Sequence, residues 1–293
     1  MYHSLKQITD EATEKGVPFW KPVMLDDCKE QGISEEQSLQ YMDGIWQAMK
    51  TSETEYDPKL KSRSGLVGTD AAKIHARRER NEMICDDFTS AVIERALKIA
   101  ESNACMKRIV AAPTAGSCGV VPAVLISAQE RWGFDDRAMA EALYTAGGIG
   151  EVIACRACLA GAEGGCQAEI GSASAMAAGA LAGLLGGSAE TICHAAALAL
   201  KNLLGLACDP VAGLVEVPCV KRNVTGAVNA LTSADLALAG IRSRIPPDEV
   251  IDAMKAIGRR MDSTLRETGE GGLAATPTGM LIRAHIAGTK GAD

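Results

Sequence analysis

The chain has 293 residues, 47% hydrophobic and 23% charged, enough apolar material for a substantial core at the upper end of what one domain holds. The formal net charge is −7 and no basic block exceeds Arg77-Arg78-Glu79-Arg80, so the electrostatic footprint of a nucleic-acid-binding protein is lacking. The start, Met1-Tyr2-His3-Ser4-Leu5-Lys6-Gln7, has no apolar segment of a secretory signal, so the expected compartment is the reducing cytoplasm, with the ten cysteines as free thiols or metal ligands.

Helical periodicity dominates and β alternation is scarce, which predicts an all-α fold, a compact multi-helix domain spanning 1–293. Ser34 with Gln37 forms a capping box before Leu39, Met42, Ile45, Trp46 and Met49, all on one helical face. From Thr51 to Asp70 the chain is loop-rich, and Ser62 to Asp70 reads as a Gly- and hydroxyl-lined loop leading into a helix that carries Lys73 and His75. Either side chain could reach a bound anion, act as acid or base, or simply lie on a solvated face.

Phe88, Val92, Ala96 and Ala100 mark the next helix. Pro113-Thr114-Ala115-Gly116-Ser117-Cys118-Gly119 is a second loop of this kind, placed before an apolar helix. Cys155 and Cys158 form the tightest cysteine pair, but no second CxxC completes a site, and the pair reads as structural within a helix. The uncharged stretch Ile170–Ala189 is built from Ala, Gly and Ser without aromatic or basic flanks, which fits a buried helix better than a membrane span.

Gly179, Gly183 and Gly187 recur every four residues, predicting a bare-backbone groove that lets neighbouring helices approach. With only ten aromatic residues, core density must come from such contacts. Ile192, Ala196, Ala199 and Leu203 continue on a second helix ended by Gly205, and His194 reads as a core or interface residue. Pro247-Asp248-Glu249 opens a helix with the face Val250, Met254, Ile257, Met261 and Leu265, expected to end before Gly269. Thr276-Pro277-Thr278-Gly279 is a third hydroxyl-bearing loop; free amides and hydroxyls at a helix start suit an anion.

Three further cysteines stand where apolar runs meet Gly- or Pro-marked turns: Glu163-Gly164-Gly165-Cys166-Gln167-Ala168-Glu169, Cys208-Asp209-Pro210 and Val217-Pro218-Cys219. They are 42 and 11 positions apart in turn, too far for a zinc ribbon and unlike the compact ferredoxin runs. Three thiolates can hold an iron–sulfur cluster and leave one iron without a protein ligand, whereas isolated buried cysteines behave as small hydrophobes. Glu163 and Glu169 beside Cys166 read equally as acids facing such a group or as surface charges.

With Ser62-Arg63-Ser64-Gly65-Leu66, the loops at 113–119 and 276–279 and the three cysteine motifs in this order, the chain resembles the iron–sulfur-dependent L-serine dehydratases, specifically the α chain that carries their catalytic domain. The resemblance covers about residues 60 to 285. It implies an all-helical catalytic domain with a [4Fe–4S] cluster on Cys166, Cys208 and Cys219. The implied reaction is elimination of water from L-serine, giving pyruvate and ammonia without pyridoxal phosphate. The open iron would carry the charge of the departing hydroxide.

For the substrate carboxylate and amine the candidates are Ser64, Gly65, Thr114, Ala115, Gly116, Ser117, Thr276 and Thr278, and the first candidate for the base is Lys73. Single-chain members carry a further domain, so the resemblance also implies a separate β chain as partner. Some members place a terminal cysteine in the active site; this chain ends Thr289-Lys290-Gly291-Ala292-Asp293, so the fourth iron position is expected to hold water or substrate. The competing readings are an iron–sulfur redox protein, a cluster-dependent lyase for L-cysteine or L-threonine, and a helical scaffold whose cysteines are all core.

Overall fold

Ser4 accepts a hydrogen bond from the amide of Gln7 and starts α1 (Leu5–Lys15), which Gly16 ends at a left-handed φ of 63°. The computed structural model describes residues 1–289; the terminal segment expected to leave the fourth iron position open lies largely outside them. After α2 (Trp20–Gln31), Ser34 and Gln37 close the expected capping box on α3 (Glu35–Thr54). Then follow α4 (Asp70–Glu79), α5 (Asp87–Ala104), α6 (Val120–Trp132), α7 (Asp136–Arg156) and the single turn α8 (Gly161–Gly164). A π-helical turn, Gln167–Gly171, runs directly into α9 (Ser172–Leu184). The chain continues with α10 (Ala189–Asn202), α11 (Cys219–Leu238), α12 (Pro247–Arg260) and α13 (Pro277–Thr289). Among the described residues there is no strand, as the periodicity predicts, and a lone bridge joins Cys208 and Arg266. No helix among them is long and apolar enough to cross a membrane.

The uncharged stretch forms the centre of the molecule: α9 packs against α6, α7, α10 and α11, and its residues from Ser172 to Ala182 are all buried. Gly179 and Gly183 act as anticipated. A Cβ on Gly179 would run into Ile149 Cδ1 of α7, and one on Gly183 would press on Ile192 of α10 at 3.3 Å. Gly187 does not belong to this groove, because α9 has ended and the chain is already turning toward the Ser188 cap of α10. The large side chains, Trp46, Phe19, Leu125, Met139 and Ile153 among them, fill the spaces around these close contacts.

Two expectations about helix ends need correction. α12 stops at Arg260 rather than continuing through Leu265: Met261 is extended, and Asp262 accepts from the Thr264 amide and hydroxyl to start a separate 3-10 turn. α7 ends at Arg156, so Cys155 lies on its last turn, exposed, and Cys158 in the following bend.

A smaller apolar cluster positions the site. Val67 and Ala71 pack on Leu97, Ala100 and Val220, docking the Ser62–Asp70 loop onto α5 and α11. Glu101, wholly buried, accepts from the amides of Gly68 (3.3 Å), Asp70 (2.8 Å) and Ala71 (3.2 Å) and from the Tyr56 hydroxyl (2.9 Å). This carboxylate supplies the acceptors that the first turn of α4 lacks within its own helix.

Candidate active site

Three unrelated segments deliver the three cysteines to one place. Cys166 follows Gly165, whose φ of 76° lets the chain leave α8 and enter the π-turn. Gln167 fixes this junction from the buried side: its amide donates to Leu206, its side chain donates to the carbonyls of Gly164 and Met254, and its carbonyl accepts from Gly205. Cys208 is held by its backbone, donating to Leu265 at 2.8 Å and accepting from Glu267 at 2.7 Å. Cys219 is the first residue of α11. All three are buried, at 2%, 3% and 7% exposure.

Their proton affinities are raised together. Burial and then the mutual repulsion of the thiolates and Glu169 push Cys219 up to about 12, while burial and Glu169 push Cys166 up to about 11 against the pull of Arg222. Cys208 is raised further by burial, Glu169 and the other two thiols. Three buried sulfurs that penalise one another's charge suit a group carrying positive charge among them, as an iron–sulfur cluster does. The spacing argues against a single ion. Among the described residues the His, Cys, Asp and Glu side chains close enough for that are Asp26, Glu30 and Glu151, whereas metal–sulfur bonds of about 2.3 Å would draw three thiols together. The Asp26 and Glu30 carboxylates are already paired with the Met1 ammonium.

Glu169 turns out to face the cysteines. It lies on the π-turn one helical turn beyond Cys166; Oε1 accepts from the Thr114 hydroxyl at 2.7 Å, and Oε2 is 3.7 Å from Cys208 Sγ. Burial raises its proton affinity, with Thr114 acting against the shift and Glu267 adding to it. Two glycines let the backbone approach this carboxylate closely. A Cβ on Gly161 would sit 2.7 Å from Oε2 and 2.9 Å from Cys208 Sγ, and one on Gly116 would sit 3.1 Å from Oε1. Asn223 joins the loop to the cysteine helix, donating to Gly116 and Cys219 and accepting from Gly119.

The hydroxyl-rich loops divide on inspection. Thr114, Ala115 and Gly116 border Glu169, and because Ala115 opens a 3-10 turn its leading amides have no intrahelical acceptor. Ser117 is fully buried and serves the turn itself, bonding Thr114 and Ala112. Ser64 donates to Glu216, which also accepts from Ser62 at 2.9 Å and lies three residues before Cys219; Gly65 is exposed at the tip of this loop. Thr276 caps α13 by accepting from Gly279 at 3.1 Å, and Thr278 is exposed.

Lys73 stands apart in character. Its side chain is 74% exposed and its ammonium lies 2.7 Å from Asp70, whose hydrogen bond and charge raise its proton affinity. His75 instead meets the buried Glu94 at 3.1 Å. His194 is half-buried, with Nδ1 shielded and its proton affinity lowered by burial. The residues that sequence reasoning did not name are Gly161, Asn223, Glu216 and Arg222, and Asp209 stood there only as part of the Cys208 motif; their partners lie far along the chain, and only their closeness to the cysteine motifs signalled them.

The profile of the serine dehydratase alpha chain matches residues 14–274. The chain is 44% identical over 288 residues to the probable L-serine dehydratase, alpha chain, of Bacillus subtilis, covering 98% of this chain and 96% of that one. It is 43% identical over 284 residues to the L-serine dehydratase, alpha chain, of Peptoniphilus asaccharolyticus, covering 97% of each. An L-serine dehydratase of Escherichia coli is 45% identical over 181 residues, 61% of this chain but 40% of that longer one.

Proposed function

Because the chain belongs to the serine dehydratase alpha chain family, we propose that it is the catalytic domain of a cytoplasmic L-serine dehydratase, eliminating water from L-serine to give pyruvate and ammonia. The observation that carries this reading is the meeting of Cys166, Cys208 and Cys219 beside the half-buried carboxylate of Glu169. These thiols would hold a [4Fe–4S] cluster, and no pyridoxal phosphate is needed. When bound, the cluster supplies Lewis acidity at an iron without a thiolate, so that hydroxide can depart.

The chain's own residues account for the rest. Gly116 and Gly161 let the backbone pack close against Glu169, where a side chain would crowd its carboxylate. The amides of Ala115 and Gly116 receive the substrate carboxylate, while the Thr114 hydroxyl stays on Glu169. Glu169 accepts the Cα proton: it is half-buried, its proton affinity is raised, and it lies beside the thiols. Lys73, the first candidate from sequence, is held as an ammonium by Asp70, and an ammonium cannot accept a proton. Ser64 through Glu216, Ser117 through its turn and Thr276 through its cap hold the surrounding loops, with Gly65 and Thr278 at their exposed edges. The released enamine tautomerises and hydrolyses in water.

The alpha chain designation of the relatives and the greater length of the Escherichia coli enzyme support a separate β chain as partner. The test is pyruvate release from L-serine by protein prepared without oxygen, alone and with that partner, against L-threonine and L-cysteine. Turnover of L-serine well above the other two supports the reading; an inactive complex with full iron content contradicts it.

A further inference from the structure

Arg222 lies among the three cysteine-bearing segments. It lies on α11 one turn beyond Cys219, so both residues point from the same helix face. Its guanidinium donates to the carbonyl of Ala207 at 2.6 Å and to Asp209 Oδ1 at 2.9 Å, gripping the chain on either side of Cys208. The same guanidinium lies close enough to the Cys166 thiol to lower its proton affinity. The side chain is 17% exposed and that of Asp209 is 7% exposed, so this fork is largely sheltered from water. Asp209 passes the constraint on: its Oδ2 accepts from the Leu273 amide at 2.9 Å, and a Cβ on the adjacent Gly272 would lie 2.5 Å from that oxygen.

We propose that Arg222 is the positioning residue of the cluster site, locking the segments of Cys208 and Cys219 in one arrangement and placing its positive charge beside the Cys166 sulfur. This rests on the reading of the three cysteines as cluster ligands. The site gathers sulfurs from segments 42 and 11 positions apart, and no local loop fixes their spacing. A planar guanidinium with several fixed donors can satisfy a carbonyl and a carboxylate together, which a lysine ammonium on a flexible stem cannot do in the same geometry. It also places one positive charge against the sulfurs. Local charge helps set the reduction potential, and partners that orient ligands govern metal retention.

The experiment compares the full chain, prepared without oxygen with its partner chain, as wild type, Arg222→Gln and Arg222→Lys. Each is loaded with ferrous iron and sulfide. Release of iron to a chelator is timed, and the cluster's midpoint potential is read by a redox titration followed by electron paramagnetic resonance. Circular dichroism checks folding. Arg222→Gln is expected to release iron about 10- to 100-fold faster than wild type and to shift the potential to more negative values. Arg222→Lys keeps the charge without the fork, so its potential should lie nearer wild type while release stays fast. Wild-type release and potential in Arg222→Gln overturn the proposal; if that variant does not fold, wild-type release in Arg222→Lys does so. A wild-type chain that binds no iron overturns the cysteine reading as well, a result distinct from loaded variants that behave like wild type.

Discussion

The Thr114 hydroxyl donates to Glu169 Oε1 at 2.7 Å, joining the loop before α6 to the π-turn that follows Cys166. Both ends are positioned by other bonds, Thr114 through the Ser117 turn and the π-turn through Gln167, so the contact orients the carboxylate rather than holding the fold. Thr114→Val keeps the shape and removes the donor. A hydrogen bond to a charged group contributes about 1.5–3 kcal/mol, which is roughly a 10- to 100-fold loss of kcat/KM if realised in the transition state. Thr114→Ser should retain most activity; equal kinetics for the valine and wild-type proteins would contradict the assignment.

Gly161 is tested by the smallest addition. In Gly161→Ala the new Cβ would lie 2.7 Å from Glu169 Oε2 and 2.9 Å from Cys208 Sγ, displacing the proposed base and a proposed cluster ligand. The expected result is a fall of at least about tenfold in kcat/KM, with melting lowered by only a few degrees, since overpacking one methyl costs about 1–3 kcal/mol. Unchanged kcat/KM would contradict those roles.

Much of this was legible before the structure. The Ser34–Gln37 cap, the buried Ala/Gly helix and the three cysteine motifs are local patterns, and local patterns survive folding. What was not legible depends on pairs distant in the chain. Glu169 could be a surface acid or a site residue until Thr114, 55 positions away, was seen to bond it. Lys73 is the exception: Asp70, which holds it as an ammonium, lies one turn back on the same helix, and only the added pairing of Lys221 with Asp70 is distant. The period of α12 continued through Met261 and Leu265, but Asp262 capped a new turn and broke it.

The Gly179 contact makes a packing prediction. A Cβ there would collide with the Ile149 Cδ1 methyl, so Gly179→Ala should destabilise by about 1–3 kcal/mol in urea unfolding. Ile149→Val removes the offending methyl. The double variant should therefore lose less than the sum of the two single changes, by more than about 0.5 kcal/mol. Strict additivity would show that the two helices do not meet at this point.

Acid sensitivity should trace in part to Glu94. Burial alone would raise its carboxyl, but Lys98 at 2.8 Å and Arg78 at 2.5 Å overcome this and hold it below its usual value. A depressed folded-state value contributes stability that is fully present above the unfolded value of about 4.3 and is lost as pH falls through the folded one. Glu94→Gln should cost about 1–3 kcal/mol near neutral pH, because Lys98 and Arg78 lose a shared partner but keep Glu53 and Asp87. Its stability should then decline less steeply than wild type below about pH 4.3. Parallel acid profiles for the two proteins would contradict this role.

The central claim is that Cys166, Cys208 and Cys219 together hold a cluster with one iron left to the substrate. Mössbauer spectroscopy of iron-57-loaded protein, prepared without oxygen with its partner and recorded with and without L-serine, tests it most directly. The account predicts a four-iron cluster in which L-serine alters the signal of one iron, and loss of the whole signal in Cys208→Ala. Serine turnover by protein that holds no iron, or a cluster whose four irons all ignore L-serine, would contradict it.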